Sequence, residues 1–212
     1  MHSIFAKQVI ALLLAFAPLI TWADASKLST YLPEGCYHSG EYQQQKTLVG
    51  MDKPLITDGS FAFNCNQGLI WHTQSPITET VIYKAQRDSI IIRADGSTQV
   101  LDSRVQRALG KILNNLVGGN SEYLQQNFSM LEKDNSVELT PKNKQMQKFL
   151  HSLNIAPQTD SVNITLQLAE QETIAIRIFA RRSFTNLEQT QCAQLPNLPP
   201  QACSILFKGA KQ

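Results

Sequence analysis

The sequence has no Cys-x-x-Cys pair, no block of like charge and, beyond its first 25 residues, no apolar run approaching the roughly 20 residues a membrane helix needs. Each absence removes a class of protein. His38, His72 and His151 share no ligand spacing with the four cysteines, and no His-Glu-x-x-His occurs, so neither a metal site nor dithiol redox chemistry is expected. Charged residues are only 17% of the 212, and Lys+Arg 19 nearly balance Asp+Glu 17, which excludes the basic footprint of a nucleic-acid binder. Gly-x-Ser-x-Gly, P-loop and paired-carboxylate motifs are missing too. The expectation is a non-enzyme without a cofactor. Lack of any fixed-period repeat argues against a solenoid.

What is present begins with Lys7, an apolar run from Val9 to Ile20 broken by Pro18, and Thr21-Trp22-Ala23-Asp24-Ala25. That is the pattern of an export signal cut after Ala23 or Ala25. The expected organisation is a signal peptide over 1–25 and a single domain over 26–212. Four cysteines in an exported chain predict disulfides, because oxidising compartments keep them formed. Three connectivities are possible. Cys36–Cys65 with Cys192–Cys203 is favoured because each bond joins sequence neighbours, the second closing a loop that contains Pro196, Pro199 and Pro200.

From Gly40 to Arg93 the chain reads as short strands separated by turns: Glu41 to Val49, Ser60 to Phe63, Gly68 to Thr73, Ile77 to Lys84 and Asp88 to Arg93. The period then changes. Val105, Ala108, Leu109, Ile112, Leu113 and Leu116 fall on one stripe of a helix from Asp102 to Val117, capped by Asp102 or Ser103 and stopped by Gly118-Gly119. A short helix from Ser121 follows, then strands at Phe128 to Lys133 and Ser136 to Thr140. A helix over Lys144 to Leu153 and strands at Val162 to Ala169, Thr173 to Ala180 and Ser183 to Gln189 complete the reading. Strands on both sides of a central amphipathic helix predict a mainly β fold of the α+β kind, a curved antiparallel sheet with the helix on its concave face.

Gly40-Glu41-Tyr42-Gln43-Gln44-Gln45-Lys46, Gly59-Ser60-Phe61-Ala62-Phe63 and Gly68-Leu69-Ile70-Trp71-His72-Thr73-Gln74-Ser75-Pro76 occur in that order. Together with Asn114 to Asn120 and Leu139-Thr140-Pro141-Lys142, they resemble a divergent branch of the LolA-type carriers of outer-membrane lipoproteins. The resemblance implies an incomplete β-barrel lidded by helices, working as a monomer in the periplasm. Its apolar cavity would hold the acyl chains of a lipoprotein or other lipid cargo, taken from an inner-membrane ATP-driven release complex and delivered to an outer-membrane receptor. Two departures stand out. The lid arginine of better-known members has no counterpart in Asn64-Cys65-Asn66-Gln67, and their long first helix is cut short here by Pro33 and Gly35.

Under that reading the cavity wall is expected from Phe61, Phe63, Leu69, Trp71, Ile82 and Ile92 on strands and from Leu109, Ile112 and Leu116 on the helix. On periodicity alone the same residues read first as ordinary packed core, and it is the resemblance that sets the cavity reading beside it. His72 alternates with Trp71 and is expected on the outer surface or rim. Lys142, Lys144, Lys148, Arg181 and Arg182 are candidates for docking to an acidic partner.

Overall fold

The computed structural model describes residues 26–208, so the signal expected over 1–25 lies outside them. Eleven strands form one antiparallel sheet: β1 Tyr37–Thr47, β2 Leu55–Asn64, β3 Gly68–Ser75, β4 Glu79–Lys84, β5 Ile90–Arg93, β6 Thr98–Val100, β7 Phe128–Lys133, β8 Ser136–Pro141, β9 Leu150–Pro157, β10 Ser161–Leu168 and β11 Thr173–Ser183. Their order is β6-β5-β4-β3-β2-β1-β11-β10-β9-β8-β7. Two meanders, separated by the central helix, are thus welded by pairing of the first strand with the last, from His38 against Ser183 to Thr47 against Thr173. The edge strands β6 and β7 do not meet, so the barrel is incomplete.

The helices are α1 Ser26–Tyr31, α2 Arg104–Val117, α3 Ser121–Asn127, α4 Lys144–Gln147, α5 Gln189–Ala193 and α6 Pro200–Phe207. Ser103 caps α2, its hydroxyl accepting from the Gln106 N–H at 3.3 Å. The sheet wraps around this helix. Ile91 on β5 and Leu166 on β10 are six strands apart, which on a flat sheet is roughly 29 Å, yet they line one cavity with α2. The α2 face is therefore the concave one. Gly110 sets the closeness of approach, because a Cβ there would collide with the Tyr83 ring on β4.

A second layer covers the convex face. Leu187, Leu198 and Leu206, from the chain around α5 and α6, pack on Ala62, Ile70, Ile82 and Ile92 of β2 to β5. Both expected disulfides form: Cys192–Cys203 ties α5 to α6, and Cys36–Cys65 ties the chain before β1 to the β2–β3 turn. Strands β2 and β3 are thereby covered on both sides, and Ser60 to Asn64 and Gly68 to His72 are buried without alternation.

Three expectations are corrected. The helix over Lys144 to Leu153 stops at Gln147, and Leu150–Pro157 is a strand. A register shift, with Gln167 opposite Ser152 and Leu168 opposite Leu150, lets Leu150 and Leu153 both face inward, imitating helical spacing. No strand runs from Ser183 to Gln189. Phe184 donates the last bond to the Tyr37 carbonyl, and the chain then leaves the sheet to bury Leu187. His72 does lie on the face opposite Trp71, but it is buried under the convex layer, bonded through Nδ1 to the Thr80 hydroxyl at 2.8 Å.

Candidate functional site

Two cavities, the first mainly apolar and the second of mixed polarity, lie along the concave groove under α2. One, of about 260 Å³, is bounded by Tyr31 at the end of α1, by Leu32 and Pro33 after it, by Leu116 and Val117 of α2, and by Phe61, Ile155, Val162, Ile164 and Ile178 of the sheet. Its polar wall is His38, Arg181 and Ser183. The other, of about 280 Å³, is walled by Trp71, Val81, Tyr83 and Ile91, by Leu109, Ile112 and Leu113 of α2, and by Leu166 and Ile176. Gln44, Lys46, Thr73 and Glu79 edge it. Leu116 and Ile164 belong to both, so they form the neck between the two. Because His38 and Lys46 stand at opposite ends of β1, the cavities are in series along the strands.

Aromatic rings stiffen the floor. Tyr42 stacks on Trp71 with centroids 3.8 Å apart, Phe61 follows at 5.9 Å, and the Tyr42 hydroxyl bonds the Thr73 hydroxyl at 2.8 Å. A Cβ on Gly59 would strike the Tyr42 ring, so glycine is what lets that ring lie flat on the sheet. Burial, with Glu79 nearby, pushes the Tyr83 phenol up to about 12. These hydroxyls are neutral, and they offer hydrogen bonds without charge.

His38 closes the other end. Its Nε2 lies 2.9 Å from the Gly35 carbonyl, which can only accept, so Nε2 carries the proton. Nδ1 then accepts from the Ser183 hydroxyl at 3.2 Å. Burial lowers the His38 pKa, the Gly35 bond opposes this, and Arg181 lowers it further, so the ring is neutral at pH 7. Arg181 itself is exposed at the cavity mouth and makes no ion pair with any described residue.

The expected wall residues separate into three groups. Phe61, Trp71, Leu109, Ile112 and Leu116 line the cavities. Phe63 and Leu69 are on the same face but packed, Phe63 under Gly118 of α2. Ile82 and Ile92 are on the convex face. Trp71 pairs with Val81, and Val81 with Ile91, so the inward residues of β4 and β5 are Val81, Tyr83 and Ile91, one position from those expected. Residues Ile164, Leu166, Ile176 and Ile178 were missed, although their period-two alternation is visible in the sequence. The candidate docking cations do not form one patch. Lys142, Lys144 and Lys148 are exposed around α4, near the β10–β11 turn, and Lys142 donates to the Gln125 carbonyl at 2.8 Å. Arg181 and Arg182 are at the other end of β11, one in the concave cavity and the other beside a small convex hollow.

No protein-family model matches the chain, and no curated protein matches it. Among solved structures it is similar to a LolA superfamily protein from Nitrosomonas europaea, at 10% identity and a TM-score of 0.47, covering 77% of this chain and 92% of the other. A DUF1329 family protein from Desulfovibrio piger is similar at 10% identity and a TM-score of 0.45, covering 78% and 92%. An outer membrane lipoprotein-sorting protein domain from Vibrio parahaemolyticus is similar at 6% identity and a TM-score of 0.44, covering 78% and 93%.

Proposed function

We propose that the protein is a periplasmic carrier that shields the acyl chains of a lipoprotein or another lipid cargo between the inner and outer membranes, without covalent chemistry. One observation carries the reading: the concave groove keeps two cavities in series beneath a helix, one mainly apolar and one floored by apolar side chains with a polar edge, where a stability-optimised core would be filled. Leaving a 16-carbon chain in water costs on the order of 12 kcal/mol at about 0.8 kcal/mol per CH₂, so a carrier needs such an enclosure. Each cavity alone is just below the roughly 300–1,000 Å³ usual for ligand clefts. Loading therefore involves widening of the neck at Leu116 and Ile164, by displacement of α2. Export with loss of residues 1–25, receipt from an ATP-driven release complex and delivery to an outer-membrane receptor complete the proposal, on the strength of the motif resemblance.

Native mass spectrometry of the protein released gently from the periplasm tests it, beside displacement of a fluorescent fatty acid. Adducts with the mass of an acylated protein or lipid, and displacement by acyl chains, are expected. A bare mass together with no probe binding would overturn the reading.

A further inference from the structure

The two ends of the groove differ in charge. Lys46, at the Trp71 end, is neutralised by Glu172 at 3.1 Å. Arg181, at the His38 end, stands at the mouth of an apolar cavity with no carboxylate partner among the described residues. His38 beside it is neutral and already committed to Gly35 and Ser183, so it neither competes for an anion nor repels one. The cavities are small, about 260 and 280 Å³, and in series, which suits one chain threaded lengthwise rather than several side by side.

We propose that the groove binds a single-chain amphiphile with an anionic head, carboxylate or phosphate, the head on Arg181 and the chain end beyond Leu116 toward Trp71. The inference rests on the acyl-carrying reading and, among the cargoes that reading leaves open, selects a free single-chain lipid over a lipoprotein and gives it an orientation. A guanidinium offers two parallel N–H donors to either head group, and the partly apolar mouth shields the pair more than open surface would.

The test compares palmitate, palmitoyl lysophosphatidate and the uncharged monopalmitoylglycerol as displacing probes on wild type, Arg181→Gln, Arg181→Lys and Lys46→Gln. Wild type is expected to prefer both anionic probes over the neutral one by roughly three- to tenfold. Arg181→Gln should abolish that preference while monopalmitoylglycerol binds as before, and Arg181→Lys should keep part of it. Lys46→Gln should leave it intact. Whichever anionic probe loses more in Arg181→Gln identifies the head group. Equal binding of all three by wild type, equal weakening of all three in Arg181→Gln, or loss of preference in Lys46→Gln instead, overturns the inference and leaves the carrier reading standing. Failure of every probe to bind overturns both.

Orientation has its own readout. Of the two tryptophans, Trp22 lies in the segment that the proposed export removes, so Trp71 is the only one in the exported protein. Palmitate brominated near its methyl end is expected to quench Trp71 more than palmitate brominated near its carboxylate. The reverse order would overturn the assignment of the head to Arg181.

Discussion

On β3 every residue from Gly68 to His72 is buried, whereas on β10 the buried Val162, Ile164 and Leu166 alternate with half-buried Asn163 and Thr165. The two strands belong to one sheet and share one concave groove. They differ in having a second layer, the α5–α6 cap, on the convex side of β2 to β5 only. A strand between two layers has no solvent face to mark its register, while a strand with one wet face announces it. The wall of the groove is accordingly stiff on the capped side, with its stacked Tyr42 and Trp71, and a single layer on the β9–β11 side.

The largest effect that distinguishes the halves is a charge on the outward face. Ile70→Asp places an unpaired carboxylate under the cap at a fully buried position and is expected to cost at least about 3 kcal/mol, seen as a collapse of the denaturant midpoint. Gln167→Glu, on the outward face of exposed β10, should stay within about 0.5 kcal/mol. Similar losses from both would mean that the cap does not distinguish the halves.

The same contrast explains what could be read in advance. Sheet class, the α2 stripe with its Ser103 cap and both disulfides follow from local signals: period two, period 3.6 and cysteines in an exported chain. Phe61 was legible because small residues, Ser60 and Ala62, flank it, whereas Trp71 follows Leu69-Ile70 without alternation and its side was a choice of register. Ile82 and Ile92 were not legible, since Val81-Ile82-Tyr83 and Ile90-Ile91-Ile92 are apolar on both faces and only pairing with β3 decides which side points inward. The cap was illegible for another reason. Helices of five and eight residues have too few turns to show a stripe, and the bond between Cys192 and Cys203 together with Leu187, Leu198 and Leu206 holds them in place. His38 and Arg181 are 143 residues apart in the chain and come together only because the last strand pairs with the first.

Removing the disulfides gives the next effect. Loop-closure entropy for separations of 29 and 11 residues corresponds to about 3.6 kcal/mol for Cys36–Cys65 and about 2.8 kcal/mol for Cys192–Cys203. Paired Cys→Ser variants should therefore lose stability in that order in urea titrations. Hydrogen exchange sharpens the comparison. Cys192→Ser with Cys203→Ser is expected to speed exchange in β2 to β4, beneath the cap, and to leave β9 to β11 unchanged. Uniform acceleration across the sheet would show that the cap acts on the whole fold.

The smallest effect is acid sensitivity, and it compares the two faces through one histidine each. His38 closes the concave cavity and His72 is buried under the convex layer. Burial holds both pKa values below the ordinary 6.5, with Arg181 adding to the depression at His38 alone. Between the lowered folded value and 6.5 the unfolded chain binds more protons than the folded one, so stability rises with pH there. Acidification should then lower Tm from about pH 6.5 downward, and this contribution should level off once the folded values are passed. Protonation would also reverse the His38–Ser183 bond, Nδ1 then donating to the hydroxyl oxygen. Melts between about pH 7.5 and about pH 5 on wild type, His38→Asn and His72→Asn check the assignment, each variant being expected to lose less Tm on acidification than wild type. Arg181→Gln should weaken the acid loss due to His38 and leave that due to His72 untouched. If instead it diminished both, the two faces would be coupled through the sheet; if it diminished neither, Arg181 would lie too far from the imidazole to act on its charge.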